Sequence, residues 1–283
     1  MTHQRQILTI CKPNDKKAGR FAKRLFKYCN EHEIEIGQCQ ALDKEDLSSY
    51  TGLVVIGGDG TLNHIINNLP HFDLPMGIIP AGSGNDYVKS LNLGGNEAEI
   101  IETAVFGKPK SVDLGKCNDQ LFLNGFGIGF DGQIAKEFEE NRTILRGHAA
   151  YYYHVLRILA TFKPKLLQFS IDGKTSEEEV ILLTIAKGTT FGGGFKLTPH
   201  ARINDGKFAI CLIKNLSPIR RFLNVGTLKA GTHDRHPEVE FLEGKKIEIK
   251  NSEMIAHIDG EIVGSPPFEL KVLGEKMKIR MRE

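Results

Sequence analysis

The stretch Gly57-Gly58-Asp59-Gly60-Thr61-Leu62-Asn63 constrains the fold more than any other part of the chain. The short apolar run Leu53-Val54-Val55-Ile56 precedes it and reads as a buried strand. Leu62, Ile65, Ile66 and Leu69 follow at i, i+3, i+4 and i+7, which predicts one face of a helix. Strand, glycine-rich turn and helix start together form a site for an anion. Glycines let the backbone approach phosphate oxygens, and the N–H groups of the first helical turn point at them. Asp59 is the unusual member. A carboxylate there repels bare phosphate, so it serves better by holding a metal ion or by binding through one.

A second unit of the same kind follows. Met76-Gly77-Ile78-Ile79 predicts another buried strand, Pro80-Ala81-Gly82-Ser83-Gly84-Asn85-Asp86 a loop, and Tyr87 to Leu91 the start of a helix. Parallel strands of a doubly wound sheet place such loops side by side at their carboxyl ends, where ligands bind. Two loops, each with glycines, a hydroxyl and an Asp, then converge on one nucleotide. Two ordinary strand–helix turns would explain either loop alone, less readily both.

The surrounding pattern changes along the chain. Up to about residue 118, strands and helices alternate: Ile7 to Ile10 as a strand, Ala18, Phe21, Ala22, Leu25 and Phe26 at helical spacing, the two glycine-loop units, then a helix with Ala98, Ile101 and Val105 on one face. That order predicts a parallel sheet covered by helices. From about residue 119 to 283 short strands dominate. Leu167, Phe169 and Ile171 alternate with polar residues and lead to an Asp172-Gly173 turn. Val180 to Ala186 is a continuous apolar strand, and Phe208, Ile210 and Leu212 form one side of another. Glu240 to Lys250 reads as a hairpin around Gly244, and 268–281 as a hairpin around Gly274. An antiparallel β-sandwich is expected there. Whether the last strand returns to the first domain stays open. Two helical stretches interrupt it. Gly132 to Phe162 places Tyr152, Leu156 and Leu159 on one face. Ser217 to Ala230 carries Ile219, Phe222 and Leu223 beside Arg220, Arg221 and Lys229. The latter either lies on an anionic membrane or packs its apolar side on the domain.

Composition excludes several classes. The net charge of +2 over 283 residues gives no electrostatic basis for a nucleic-acid partner. Cys11, Cys29, Cys39, Cys117 and Cys211 are scattered, which suits free thiols in a reducing cytoplasm. The start MTHQRQILTI is too short and polar for a secretory signal, and no apolar run approaches the roughly 18–20 residues that span a bilayer. There is no GxxxxGK[ST] phosphate loop, no HExxH, no His/Cys cluster and no GxSxG elbow.

GGDGTLN followed by PAGSGND resembles the diacylglycerol kinase catalytic-domain family, which includes bacterial soluble lipid kinases and the sphingosine and ceramide kinases. Further matches follow in the family's order: Ser111 to Gly115 (SVDLG), Asn124 to Asp131 (NGFGIGFD), Gly193 to Phe208 (GGFKLTPHARINDGKF) and Asp259-Gly260-Glu261. NAD kinases and phosphofructokinases share GGDGT, while GSGND and the late DGE favour the lipid kinases. The resemblance implies an α/β nucleotide-binding domain followed by a β-sandwich, with the active site in the cleft between them.

It also implies roles. ATP is the expected co-substrate and Mg²⁺ the expected metal. Gly57, Gly58, Asp59, Gly60, Thr61, Ser83, Gly84, Asn85 and Asp86 would contact the nucleotide, and Asp59 would organise the metal with Asp86 in the same network. Two carboxylates compete to orient or deprotonate the acceptor hydroxyl: Glu261, favoured as the base, and Asp131, a substrate-side contact at the position of the acceptor-hydroxyl Asp in the sphingosine and ceramide branches. Asp205, in an Asn204-Asp205-Gly206 turn, matches a structural Mg²⁺ site of some bacterial members; an ordinary Asx turn explains it equally. Asp113 would join a charge network with lysines, Lys17 being a plausible partner. His200 and His257 read as packing or surface residues.

The resemblance departs at Cys11-Lys12-Pro13-Asn14-Asp15-Lys16-Lys17, where the family's NPxSG keeps only its Pro. A Thr-rich stretch ahead of GGDGT is also missing between Cys39 and Tyr50. The expectation is a cytoplasmic lipid kinase, peripheral to the membrane's inner face, acting on diacylglycerol or on a sphingoid or ceramide lipid. Homodimerisation is open. The alternatives are an NAD kinase and a non-catalytic lipid- or nucleotide-binding protein.

Overall fold

A computed structural model of the chain describes residues 5–12, 14–39, 46–140 and 148–283, with the backbone alone at 138, 139, 148–154 and 275. Pro13 and most of the segment between Cys39 and Tyr50 lie outside the described residues. In chain order the elements are β1 (Gln6–Cys11), α1 (Lys16–Glu31), β2 (Glu35–Cys39), β3 (Gly52–Gly57), α2 (Asp59–Asn68), β4 (Met76–Pro80), α3 (Glu97–Phe106), β5 (Lys108–Cys117), β6 (Gln120–Phe122) and β7 (Gly125–Gly129). Then come α4 (Phe130–Glu140), α5 (His148–Thr161), β8 (Lys165–Ile171), β9 (Lys174–Ala186), β10 (Phe208–Lys214), α6 (Pro218–Ala230), β11 (Val239–Gly244), β12 (Lys246–Asn251), β13 (Ala256–Ile258), β14 (Glu261–Gly264) and β15 (Phe268–Met281).

The chain divides into two units, Met1–Leu114 with Gly274–Glu283, and Gly115–Leu273. The break falls at Leu114 rather than after 118, and the end of β15 belongs to the first unit.

The first unit is a parallel sheet in the order β2-β1-β3-β4, with β15 joining β4 at Ile279↔Met76. Every residue of β3 is buried, so the sheet is covered on both faces. Asp15 caps α1 by accepting the N–H groups of Lys17 and Ala18. From α1, Ala18, Phe21, Leu25 and Cys29 pack against Ile7, Val54, Ile56 and Ile79. Helix α3 starts in a capping box of Asn96 and Glu99 and buries Ile101, Ala104 and Val105 in the same core. It rests directly on the β4 backbone: a Cβ on Gly77 would stand 2.0 Å from the Ala104 carbonyl oxygen. Ala98, in the first turn, is exposed and not part of that face. Tyr87 begins only a 3₁₀ turn, Tyr87–Ser90, closed by the Leu91 N–H on Val88.

The second unit is antiparallel, in the order β14-β13-β7-β9-β8-β12-β15. β9 pairs β8 along its first half, then lies between β7 and β10, and β11 pairs β10. Asp172 and Gly173, both at positive φ, form the two-residue turn joining β8 to β9. The core gathers Phe122, Phe126, Ile128, Leu167, Phe169, Leu183, Ile185, Phe208, Ile249 and Leu270.

Two expected hairpins are absent. β11 and β12 do not pair; β11 lies on β10, and β12 lies between β8 and β15. The connecting N–H groups of Lys245 and Lys246 donate to the Asp172 carboxylate, and Gly244 is pressed against Ile171. The glycine marks a change of partner, not a hairpin tip. Likewise 268–281 is one strand that runs through Gly274 without turning. On α5 the buried face is Val155, Ile158 and Leu159, while Leu156 is exposed and the Tyr152 side chain lies outside the described residues.

Candidate active site

In the first unit the two glycine loops meet. The parallel register sets Gly57 opposite Pro80, so both strands end together. The Ala81 N–H donates to Gly57 O at 2.8 Å. A Cβ on Gly58 would stand 2.8 Å from Gly82 Cα, and one on Gly82 2.5 Å from Gly58 Cα. Only glycine at both positions allows backbone to touch backbone.

The Asp59 carboxylate holds the loops together. Its Oδ2 accepts the N–H of Asp86 at 2.9 Å and its Oδ1 that of Tyr87 at 3.2 Å. Burial pushes its pKa above the usual carboxylate range against the lowering effect of those two bonds. Asn85, at positive φ, accepts from the Gly82 N–H and donates to Gly82 O; its amide closes its own loop. Asp86 is buried with Lys89 Nζ at 2.7 Å. The Thr61 side chain packs on Gly57, while Gly60 and Ser83 are exposed. A Cβ on Gly84 would come within 3.4 Å of the Asp59 carboxylate.

Asp113 is buried in the same unit. The sequence offered Lys17 as its partner; the structure brings up Lys276 of β15, at 3.2 Å.

In the second unit Asp131 stands in the first turn of α4, directly after β7. Along β7, Phe126 and Ile128 enter the core while Gly125, Gly127 and Gly129 alternate with them. The reason for Gly127 is Asp131. A Cβ on Gly127 would lie 1.9 Å from Asp131 Oδ2 and 2.7 Å from His257 Nε2. The strand is stripped of side chains where the carboxylate folds back over it. Asp131 Oδ1 accepts the Gly132 N–H at 2.8 Å, and Oδ2 stands 3.3 Å from His257 Nε2. His257 is buried and its Nδ1 accepts the Gly260 N–H at 3.2 Å. That bond assigns the ring proton to Nε2, while the nearby Asp131 Oδ2 accepts no hydrogen bond.

The Asp259-Gly260 turn joins β13 to β14, with both residues at positive φ. Asp259 is a clamp: its carboxylate accepts the N–H groups of Leu123, Asn124 and Gly125 at 3.3, 3.2 and 2.8 Å. Glu261 opens β14 and is exposed.

Asp205 lies elsewhere in this unit. Its Oδ1 is 2.6 Å from Nζ of Lys187, a wholly buried ammonium that also donates to Lys207 O. The carboxylate is the counter-charge of a buried lysine that the sequence did not single out. Among the described residues no group of three or more His, Cys, Asp or Glu side chains gathers in metal-binding geometry.

A small apolar pocket, partly open to solvent, lies in this unit between α6 and the β9–β10 pair, lined by Leu159, Ile181, Leu182, Ile213, Leu216 and Leu228 among others. None of the five cysteines forms a disulfide, and burial pushes the Cys29 and Cys117 thiols up to about 11 and about 12, leaving those two inert.

His257, Lys187 and the clamp role of Asp259 were missed in the sequence. The alternating glycines ahead of Asp131 were the one signal pointing toward His257. They show that a buried group must sit over β7.

An α/β unit with fused glycine loops and a β unit bearing a positioned carboxylate define a kinase of the two-domain, glycine-loop type. Comparison with known proteins agrees. Residues 15–117 match the diacylglycerol kinase catalytic domain, and 126–281, more than half the chain, match the YegS C-terminal NAD kinase beta sandwich-like domain. A diacylglycerol kinase of Bacillus subtilis strain 168 is 27% identical over 228 residues, covering 79% of this chain and 75% of that protein. The crystal structure of a diacylglycerol kinase from Bacillus anthracis strain Sterne superposes with a TM-score of 0.77 at 23% identity, over 99% of this chain and 97% of that one. Yeast NADH kinase shares the fold more distantly, with a TM-score of 0.54 at 11% identity, over 99% of this chain and 84% of that one. The chain belongs to the diacylglycerol kinase catalytic-domain family, and it is a lipid kinase.

Proposed function

We propose that the chain transfers the γ-phosphate of ATP to a hydroxyl of a membrane lipid. Diacylglycerol or a related glycerolipid is the first acceptor and a sphingoid base or ceramide the second. The observation that carries the reading is the contact between Gly58 and Gly82, locked by the Asp59 carboxylate. It presents bare backbone of two loops and the N-terminal turn of α2 to one ligand, which suits a polyphosphate. The Bacillus subtilis relative's name makes diacylglycerol the acceptor to try first.

Mg²⁺ fits the donor set. Mg²⁺ keeps most of its shell as water and substrate phosphate and takes one or two protein carboxylates. Asp59 and Asp86 supply that number, and each Asp59 oxygen can accept a second bond beside its backbone N–H. When bound, the ion would neutralise charge on the phosphate oxygens. The Asp205 carboxylate is committed to Lys187.

Asp131 or Glu261 removes the acceptor proton as its oxygen attacks the γ-phosphorus; the bond to the bridging oxygen breaks and ADP leaves. Asp131 is the better prepared, because the Gly132 N–H fixes Oδ1 while Oδ2, buried beside His257, has no hydrogen-bond partner. The pocket beneath α6 offers apolar walls for an acyl chain. The reading places the enzyme in the cytoplasm at the membrane's inner face.

The test is transfer from γ-labelled ATP with Mg²⁺ to diacylglycerol, ceramide or sphingosine in mixed micelles, with NAD as a parallel acceptor. Label in a chloroform-soluble product supports the proposal and names the acceptor. Label only in NADP would overturn it, as would no transfer to any lipid.

A further inference from the structure

Helix α6 is inside out. In a helix that merely packs on its domain, Ile219, Phe222 and Leu223 face inward and the arginines outward. Here Arg221 is the buried residue. Its guanidinium donates to the carbonyls of Leu216 at 2.7 Å, Leu159 at 3.2 Å and Phe162 at 2.7 Å, tying α6 to the end of α5. Asn224, Thr227 and Leu228 follow on the inner side and line the apolar pocket. Ile219, Phe222 and Leu223 are thereby turned to solvent, at 74%, 40% and 76% exposure. Leu156 on α5 and Leu166 on β8 are exposed as well, so five of six such apolar side chains among the described residues come from this part of the chain.

We propose that this outer face of α6 docks on the surface of an anionic bilayer. The charge around it selects that occupant. Pro218–Ala230 contains no acidic residue, and α5 from His148 to Thr161 contains none. Of the nearby acids, Glu238 pairs with Arg220 and Glu137 with Arg157, while Glu179, exposed across from Leu166, meets the neutral amide of Asn215. Lys163 and Lys229 are exposed beside the apolar face. Apolar side chains that enter the acyl boundary while lysines stay at phosphate level are the chemistry of an interfacial helix. The choice of a bilayer over a protein partner rests on the lipid-kinase reading, in which the acceptor must be drawn from a membrane.

The experiment is co-sedimentation of the full chain with vesicles of phosphatidylcholine, with and without phosphatidylglycerol. Wild type is compared with Ile219→Ser/Leu223→Ser and with Lys163→Glu/Lys229→Glu. Transfer to a water-dispersed short-chain diacylglycerol is measured in parallel. Wild type is expected to pellet with the anionic vesicles, each double variant to lose at least about tenfold in partitioning, and short-chain turnover to stay unchanged. Equal vesicle binding by wild type and the serine variant would overturn the proposal, and so would no binding by wild type. A serine variant that instead dissociates a dimer in vesicle-free ultracentrifugation would assign the face to a second copy of the chain. Wild type that binds vesicles but phosphorylates no lipid would sink the kinase reading and leave the surface standing.

Discussion

His257 Nε2 stands 3.3 Å from Asp131 Oδ2 without a hydrogen bond between them, and the Gly260 N–H donates to Nδ1 of the same ring. The Gly132 N–H orients the Asp131 carboxylate through Oδ1 and leaves Oδ2 without a hydrogen-bond partner. Asp131→Asn is expected to lower kcat by roughly 10²–10⁴-fold if Asp131 is the base. His257→Gln, which alters only the group beside Oδ2, should cost less and fall mainly on kcat. Steady-state kinetics of both variants check this; near-wild-type rates in both would remove the pair from the chemistry.

Gly127→Ala tests the same geometry from the strand. The added methyl would sit 1.9 Å from Asp131 Oδ2, so the carboxylate must move or β7 must shift. The expected stability loss is about 1–3 kcal/mol, with activity falling further than folding requires. Urea unfolding beside a rate measurement separates the two. A fully active Gly127→Ala protein would contradict the placement of Asp131.

Asp259 and Glu261 are close in sequence but differ in task. Asp259→Ala strands three backbone N–H groups and should cost about 2–4 kcal/mol. Exposed Glu261→Gln should leave stability within about 0.5 kcal/mol. If Glu261 is the base, its rate falls roughly 10²–10⁴-fold without any loss of fold. Thermal melts and kinetics on the two variants decide the assignment.

Asp59 makes stability depend on pH in a definite direction. Burial raises its pKa in the folded state above the unfolded value of 3.8. The folded chain therefore holds this proton more tightly. The associated stability is fully present below the unfolded pKa and is lost as pH rises through the folded one. Relative to wild type, Asp59→Asn should look least stable at acid pH and recover as pH rises across that window. Denaturant titrations at a series of pH values check the sign; a difference that widens with pH would be incompatible with the buried carboxylate. The same variant should lose turnover while staying folded.

Local chemistry makes the glycine loops legible in the sequence. Gly58 and Gly82 sit where strand and helix patterns meet, and the order of the motifs placed Asp131 and Glu261 in the β unit. Partner choice was not legible. Gly244 and Gly274 carry the same turn signal as Gly173, yet only Gly173 turns a hairpin, because pairing is decided by distant strands. Inversion of α6 was hidden for a related reason. The pattern Ile219, Phe222, Leu223 shows that a face exists, while its direction follows from carbonyls of Leu159 and Phe162 that capture Arg221. His257 stayed obscure because its partner lies 126 positions upstream (257 − 131).

β15 enters from the second unit and finishes in the first, where Ile279 pairs Met76 and Lys276 meets buried Asp113. On a ribosome, the unit begun first is thus completed last. Until the stretch from Gly274 emerges, β4 has an open flank and Asp113 lacks the ammonium of Lys276. A nascent chain halted anywhere in the β unit would carry a first unit with its sheet unfinished.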